Sequence, residues 1–310
     1  MIRIIDLFSG IGGIRKGFEK AAGKKNIRCV FASEWDKYAV HTYRANFNNE
    51  EVHGDITKIS EKDIQDHDVL LAGFPCQPFS QAGKKQGFID TRGTLFFDVE
   101  RILIEKQPHA FLLENVKHLK GHDEGKTLAV ILSHLRKAGY ETFVDVLNAR
   151  CFGVPQNRER IFIVGFLDHN IKFKFPNPSK RKVRVGNVLE KKAPEKYTIS
   201  DKLWNGHKRR KTEHRLKGNG FGYGLFSKNS PYTNTISARY YKDGSEALIE
   251  QKNKNPRKLT PRECARLQGF PENFRIPVSD NQAYRQFGNS VAVPVITAIA
   301  KQMLKNIKRH

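Results

Sequence analysis

The sequence predicts an α/β protein in which a mostly parallel sheet forms a larger domain and a smaller, loop-rich domain follows. Over residues 1–170, short apolar runs alternate with segments of helical periodicity, the pattern of a parallel sheet covered by helices on both faces. The alternation stops near Pro176 and Pro178, where basic, loop-rich sequence begins. These observations place the larger domain in residues 1–177 and the smaller one in residues 178–275.

Six apolar runs are predicted to form strands, with helices between them. The strands are Ile2–Leu7, Arg28–Ser33, Val69–Ala72, Ala110–Glu114, Thr142–Leu147 and Ile161–Phe166, and the helices include Gly13–Ala22 and Leu128–Ala138. Open parallel sheets bind their ligands at the carboxyl ends of the strands. The candidate functional segments follow such ends, at Ser9–Gly13, Glu34, Gly73–Ser80 and Glu114–Val116.

Charge and cysteine content limit the class of function. The 310 residues carry a net charge of +23, and about half of it lies in residues 172–217, which favours nucleic acid as the partner. The four cysteines form no CxxC pair, which argues against a zinc site and a disulfide scaffold and for a reducing, cytosolic setting. No apolar run approaches the ~20 residues that span a membrane.

The first predicted strand runs into a glycine-rich turn, Asp6-Leu-Phe-Ser-Gly10-Ile-Gly12-Gly13. Glycines let the backbone approach a ligand, although a tight structural turn uses them too. Glu34 ends the next strand, where an acid can bind ribose hydroxyls, and the neighbouring Trp35 can stack on adenine. Together these residues favour a nucleoside-containing cofactor, and the missing third glycine counts against a dinucleotide.

Three further motifs contain reactive groups. Cys76 lies between two prolines on a loop, an unusual place for a packing cysteine and a suitable one for a nucleophile. Glu114 ends a strand, where a carboxylate can serve catalysis or only cap a helix. Arg158 and Arg160 share a face of an extended segment that could hold a phosphate or a carbonyl, or could be a solvated edge strand.

Taken together, the motifs resemble the C5-cytosine-specific DNA methyltransferase family of bacterial and phage restriction–modification systems, nearly from end to end. The blocks that carry the resemblance are, in the family's order, Asp6–Gly13, Glu34-Trp35, Asp55-Ile56, Gly73–Ser80, Arg92–Phe96, Glu114–Val116, Gln156–Arg160, Arg257–Phe270 and Gly288–Val291.

The resemblance implies a Rossmann-like domain that binds S-adenosyl-L-methionine, with residues 178–275 as a target-recognition domain. Residues 276–310 would be a hinge and a helix that returns to the catalytic domain. The implied cofactor contacts are Phe8, Gly10, Gly12, Glu34, Trp35, Asp55, Ile56, Pro75, Leu95, Asn289 and Val291. No metal is expected.

The resemblance also assigns the catalytic roles. Cys76 would attack C6 of a flipped-out cytosine, and Glu114 would contact N3 and the exocyclic amine. Arg160 would hold the cytosine O2, with Arg158 near the nucleophile and the adjoining phosphate. The segment from Ser80 to Phe96 resembles the family's mobile loop, which brings the cysteine to the base.

The implied partner is double-stranded DNA, read by a monomer in the bacterial cytoplasm. A cognate restriction endonuclease could act on the same site without a stable complex. The predicted DNA-contacting residues are Ser80, Arg92, Thr235, Arg239, Tyr240, Lys242 and Arg257. The segments 217–224, 237–244 and 275–280 resemble the Dcm-type branch, which implies a CC-N-GG-like target.

Two other functions stay open at this point. An RNA cytosine-5-methyltransferase would share the fold, although the long variable segment before Arg257 favours DNA. A catalytically silent DNA-binding regulator would be expected to lose Cys76, Glu114 or Arg160, and all three are present.

Overall fold

A computed structural model describes residues 1–75, 95–179 and 182–307. It confirms the predicted α/β class with a mostly parallel central sheet. Contacts between residues divide the chain into two compact units. Unit 1 comprises residues 1–147, 159–177 and 295–310, and unit 2 comprises residues 148–158 and 178–294.

Unit 1 is built around one sheet. Its strands are β1 (Ile2–Leu7), β2 (Ile27–Ser33), β3 (Val69–Ala72), β4 (Ala110–Val116), β5 (Glu141–Asn148) and β7 (Glu159–Phe166). Its helices are α1 (Gly13–Ala22), α2 (Lys37–Asn46), α3 (Leu95–Lys106), α4 (Lys126–Lys137) and α8 (Val293–Met303). The six predicted strands are all present, each within two residues of its predicted bounds.

The strand order is β2-β1-β3-β4-β7-β5. Strands β1 to β4 pair in parallel, whereas β7 runs antiparallel to β4 and aligns Val116 with Arg160. The first residues of β7 therefore lie beside the last residues of β4. This reversal, which the alternating pattern did not predict, brings the polar first residues of β7 to the edge where the parallel strands end.

The core of unit 1 forms because the strands are apolar on both sides. Side chains such as Leu70, Phe111 and Leu113 are fully buried against apolar residues of α3 and α4, including Val99 and Ile131. Elsewhere in the unit, Gly17 of α1 lies against Ile296 of α8, where an added Cβ would come within 2.4 Å of Cγ2. The last helix therefore packs on the helix that follows the glycine turn.

The described residues of unit 2 form short strands, three α-helices and many loops. The strands are β6 (Gln156–Asn157), β8 (Leu225–Phe226), β9 (Thr233–Asn234), β10 (Leu248–Gln251) and β11 (Lys254–Lys258), and the helices are α5 (Asp201–Leu216), α6 (Pro261–Leu267) and α7 (Asp280–Asn289). Two small sheets result, ordered β11-β10-β8 and β6-β9.

The units differ from the predicted domain bounds in two places. Residues 148–158, predicted within the larger domain, and residues 276–294, predicted as hinge and returning helix, are grouped with unit 2. Within the described residues, none of the helices combines the length and apolar character that crossing a bilayer requires.

Candidate active site

One edge of the unit 1 sheet gathers the polar residues that the sequence singled out. Strands β1 to β4 end there because they are parallel, and β7 begins there because it is antiparallel to β4. Side chains from five strands are therefore available to one ligand-binding edge, as in other open α/β sheets.

The turn after β1 has the backbone geometry of a ligand-binding loop. Phe8, Gly10 and Gly12 have φ values of 51°, 54° and 78° in the left-handed region. A Cβ on Gly12 would lie 2.3 Å from the ring of Phe47, so no other residue fits at this position. Phe8 is strained in this conformation, a feature that is common at binding sites.

Glu34 fixes this turn to the end of β2. Its Oε2 accepts a hydrogen bond of 2.8 Å from the Gly10 N–H, and its Oε1 accepts one of 2.9 Å from the Asp36 N–H. Burial raises the pKa of Glu34, and these two N–H donors oppose that rise. The adjacent Trp35 is 82% exposed, so its ring is available for stacking.

A buried polar network lies beneath the turn. The Asp6 Oδ2 accepts a hydrogen bond of 3.4 Å from the Tyr43 hydroxyl. The Tyr43 hydroxyl oxygen in turn accepts a hydrogen bond of 3.0 Å from Arg15 Nη1. Arg15 also bonds Glu19 and Glu50. Burial raises the pKa of Asp6 to about 8, opposed by the charge of Arg15 and by the Tyr43 hydrogen bond.

The other predicted cofactor contacts of unit 1 are placed as follows. Asp55 caps a short 3-10 turn, and its carboxylate accepts from the Thr57 N–H at 3.1 Å. Ile56 is buried, Leu95 is half-buried at the start of α3, and Pro75 is exposed.

Glu114 and Arg160 form an ion pair at the edge of the sheet. Arg160 Nε lies 3.1 Å from Glu114 Oε1, and both side chains are largely buried. An added Cβ on Gly73, just past β3, would lie 3.6 Å from Glu114 Oε2. The pair therefore lies beside the segment that leads from β3 to position 76.

Asn115 holds the start of that segment, a role that the sequence motifs did not indicate. Its Nδ2 donates a hydrogen bond of 2.9 Å to the Phe74 carbonyl, and the side chain is buried. The sequence signal for this role was the presence of a polar residue, Asn115, between Glu114 and Val116 at a strand end. Cys76, Ser80 and Arg92 lie outside the described residues.

Arg158 belongs to unit 2 and is 3% exposed. Its guanidinium donates to the carbonyl oxygens of Ile236, Gly288 and Ser290 at 3.0, 3.0 and 2.6 Å. These partners belong to the chain's own backbone. They differ from the phosphate or nucleophile contact that the sequence suggested for Arg158.

Two predicted DNA contacts are not compatible with their places in unit 2. Tyr240 is fully buried, and its hydroxyl donates to the Ala247 carbonyl and accepts from the Leu259 N–H. Arg257 is buried and binds both carboxylate oxygens of Glu263, at 2.7 and 2.8 Å. Both side chains serve the core of unit 2, and we withdraw them as DNA contacts.

The remaining predicted residues of unit 2 are more accessible. Arg239, Lys242 and Asn289 are exposed, Thr235 is half-buried, and Val291 is buried. The Thr235 hydroxyl donates to the Asn157 carbonyl at 2.6 Å. Arg239 and Lys242 therefore keep the accessibility that a DNA contact requires.

Comparison with known proteins gives a consistent result. The family described as C-5 cytosine-specific DNA methylase matches residues 2–305. The chain belongs to this family. It is 68% identical over 303 residues to the Type II methyltransferase M.NlaX of Neisseria lactamica, covering 98% of this chain and 96% of that protein.

More distant relatives support the same family and the same fold. The chain is 44% identical over 376 residues to the DNA-cytosine methyltransferase of Escherichia coli strain K12, covering 99% of this chain and 78% of that protein. The solved structure of S. pombe Dnmt2 methyltransferase superposes on this chain with a TM-score of 0.83 at 22% sequence identity, and the match covers 100% of each chain. The two proteins therefore share the fold. The predicted enzyme class, a DNA cytosine-5-methyltransferase, is confirmed, and the family uses S-adenosylmethionine.

The glycine turn of this methyltransferase fits that cofactor. The Ser9 hydroxyl is buried and, within the described residues, has no hydrogen-bond partner, as is also true of Asp6 Oδ1. An unpaired buried hydroxyl at the turn is suited to a polar ligand group. Glu34 and Trp35 supply a carboxylate and an exposed aromatic face at the same edge.

The raised pKa of Asp6 generates a prediction about stability. The folded protein holds this proton up to pH about 8, whereas the unfolded chain releases it near 3.8. The stabilisation is therefore complete below pH 3.8 and is lost as the pH rises towards 8. Relative to wild type, Asp6→Asn should become more stable with rising pH, by about 1 kcal/mol per pH unit between pH 5 and 7.

Urea unfolding of both proteins at several pH values measures this difference. A difference that stays constant from pH 5 to 8 would mean that Asp6 is already ionised in the folded protein.

Proposed function

We propose that this enzyme transfers the methyl group of S-adenosylmethionine to C5 of a flipped-out cytosine in duplex DNA through a covalent bond between Cys76 Sγ and C6. The observation that carries the proposal is the Glu114–Arg160 ion pair beside Gly73. It puts an acid and a cation at the sheet edge, beside a glycine that lies three residues before Cys76 in the sequence.

The residues of the chain would divide the chemistry as follows. The Cys76 thiolate adds to C6, and the electron pair of the C5–C6 bond becomes available at C5. Glu114 hydrogen-bonds N3 and stabilises the charge that enters the ring, while Arg160 binds O2. The bound cofactor supplies an electrophilic methyl group. Loss of the C5 proton then restores the double bond and releases Cys76.

Two of the other three cysteines are poor candidates for the nucleophile. Burial raises the pKa of Cys29 to about 12 and raises that of Cys264 well above its usual 9. Neither thiol forms a thiolate readily near neutral pH, and only the thiolate is nucleophilic.

We expect Glu114→Gln to lower turnover by about 10²-fold or more, because the amide keeps the shape but cannot deliver a proton. S-adenosylhomocysteine affinity should stay near wild type. Glu159→Gln is the matched control, since Glu159 lies on the adjoining strand β7 and pairs with Lys117 at the surface. Methyl transfer to duplex DNA and calorimetry measure the two effects. Near-normal turnover of the Glu114 variant would remove it from the acid role.

We expect Cys76→Ser to abolish methyl transfer while cofactor and DNA binding survive, because a hydroxyl is far less acidic than a thiol. DNA with 5-fluorocytosine at the target should become covalently attached to the wild type and to the control Cys151→Ser, since fluorine does not leave as a proton does. An adduct with the Cys76 variant would show that another residue is the nucleophile.

The helix α5 offers a surface for the phosphate backbone of DNA. Of its 16 residues, all described, only His207 is buried. Arg210 is held by Asp243 and His207, whereas Lys208, Arg209, Lys211 and Arg215 are exposed. A cationic surface of this kind supports sequence-independent binding to a polyanion.

The salt dependence of DNA binding tests this surface. Neutralising six or more phosphates gives a slope of log K against log salt of about −5 or steeper. Replacing those four exposed cations with Gln should flatten the slope by about 2 to 4. The control removes four exposed cations of unit 1, namely Lys20, Lys24, Lys25 and Arg28, and should leave the slope unchanged. Equal effects of both variants would mean that only net charge matters.

The most specific part of the proposal is the DNA sequence that the enzyme methylates. The likeness to the Dcm-type branch supports methylation of the inner cytosine of CC-N-GG-like sites. Base-resolution mapping of 5-methylcytosine in a treated plasmid tests substrate, product and target together, and we expect modification on both strands at such sites. Methylation at GGCC, GCGC or CG sites with CC-N-GG untouched would contradict the specificity. Transfer to transfer RNA in place of duplex DNA would favour the RNA alternative.

The relatives' designation as Type II methyltransferases supports a cellular setting. We propose that the enzyme acts as a monomer in the bacterial cytoplasm, where its methylation would protect sites from a cognate restriction endonuclease without a stable complex.

A further inference from the structure

Arg158 joins three segments of unit 2 that are far apart in sequence. Its Nη1 donates to the Ile236 carbonyl, and its Nη2 donates to the carbonyls of Gly288 and Ser290. The planar fork of a guanidinium can satisfy several acceptors in fixed geometry, which a lysine cannot do. Because the side chain is buried, these bonds form in a region that excludes water and holds the segments rigidly.

The joined segments contain residues of two different predicted binding functions. Ile236 follows Thr235, a predicted DNA contact, while Gly288 and Ser290 flank Asn289, a predicted cofactor contact. The backbones also touch directly, since a Cβ on Gly288 would lie 2.2 Å from the Ser237 carbonyl oxygen. A displacement of either segment therefore displaces the other.

A second set of hydrogen bonds ties the same segments. The Ile236 N–H donates to Gln156 Oε1 at 3.1 Å, and Gln156 Nε2 contacts Gln268 Oε1 at 3.2 Å. Gln268 Nε2 donates to the Phe287 carbonyl at 2.7 Å. The path from residue 236 to residue 287 therefore runs through buried amides as well as through Arg158.

We propose that Arg158 is a positioning residue that couples binding of target DNA to binding of the cofactor. This inference rests on the proposed function, because it takes Thr235 to contact DNA and Asn289 and Val291 to contact the cofactor. A shift of residues 235–238 on contact with DNA would move residues 288–291 with them, into their cofactor-binding arrangement. The coupling is reciprocal, so the cofactor should raise DNA affinity by the same factor.

Calorimetry with S-adenosylhomocysteine, with and without a target duplex, tests the coupling. In the wild type, the duplex should tighten cofactor binding by about tenfold, within the usual range of coupling between sites. Arg158→Lys should reduce that factor to about threefold or less while each ligand alone binds almost normally. Arg262→Lys is the matched control, because Arg262 also donates to a backbone carbonyl of unit 2, that of Phe274.

Absence of coupling in the wild type, or full coupling in Arg158→Lys, would overturn the proposal. A variant with intact coupling but strongly reduced turnover would instead make Arg158 a substrate contact. If the variant does not fold, amide hydrogen exchange of the wild type tests whether cofactor binding affects residues 235–238. S-adenosylhomocysteine alone should slow exchange of residues 235–238, and unchanged exchange would refute the link. Failure of the wild type to methylate DNA would instead contradict the proposed function.

Discussion

The direction of strand β7 determines which side chains can meet at the edge of the sheet where strands β1 to β4 end. Strands β1 to β4 end at that edge, and a parallel β7 would have placed Arg160 at the opposite one. Because β7 is antiparallel, the register opposes Val116 to Arg160 and leaves the guanidinium next to Glu114. Hydrogen bonds of the sheet thus fix an ion pair whose members are 46 positions apart in the sequence.

The glycine turn depends on a different constraint, the close packing beneath it. Gly12 has no room for a side chain because the Phe47 ring fills that space, and Glu34 binds the Gly10 N–H from the neighbouring strand. The network of Asp6, Tyr43 and Arg15 supports the turn from below. This packing and these hydrogen bonds form the turn without help from a ligand. Two buried oxygens, Asp6 Oδ1 and Ser9 Oγ, have no hydrogen-bond partner within the described residues, which suits them to a polar ligand group.

The sequence predicted the strands well because each is a short apolar run between polar or glycine-rich segments. The described candidate functional segments of unit 1 lie at or just beyond strand ends, as the sequence predicted, because that inference needs only the order of elements. The reversal of β7 could not be predicted, because periodicity carries no information on direction. Tyr240 and Arg257 were misjudged because a polar side chain can be buried when the fold supplies its partners. The Thr260-Pro-Arg-Glu263 capping box of α6 was the available signal for the partner of Arg257.

The contact of Gly288 with the Ser237 carbonyl has a consequence for engineering of specificity. A recognition segment transplanted from a relative would have to present its main chain to the same glycine, with a carbonyl group at the position of Ile236 for Arg158. Side chains that point outward from this segment are free to vary, whereas its path across residues 236–238 is not. Chimeras cut within that path should accumulate as insoluble protein, and chimeras cut outside it are the ones to build.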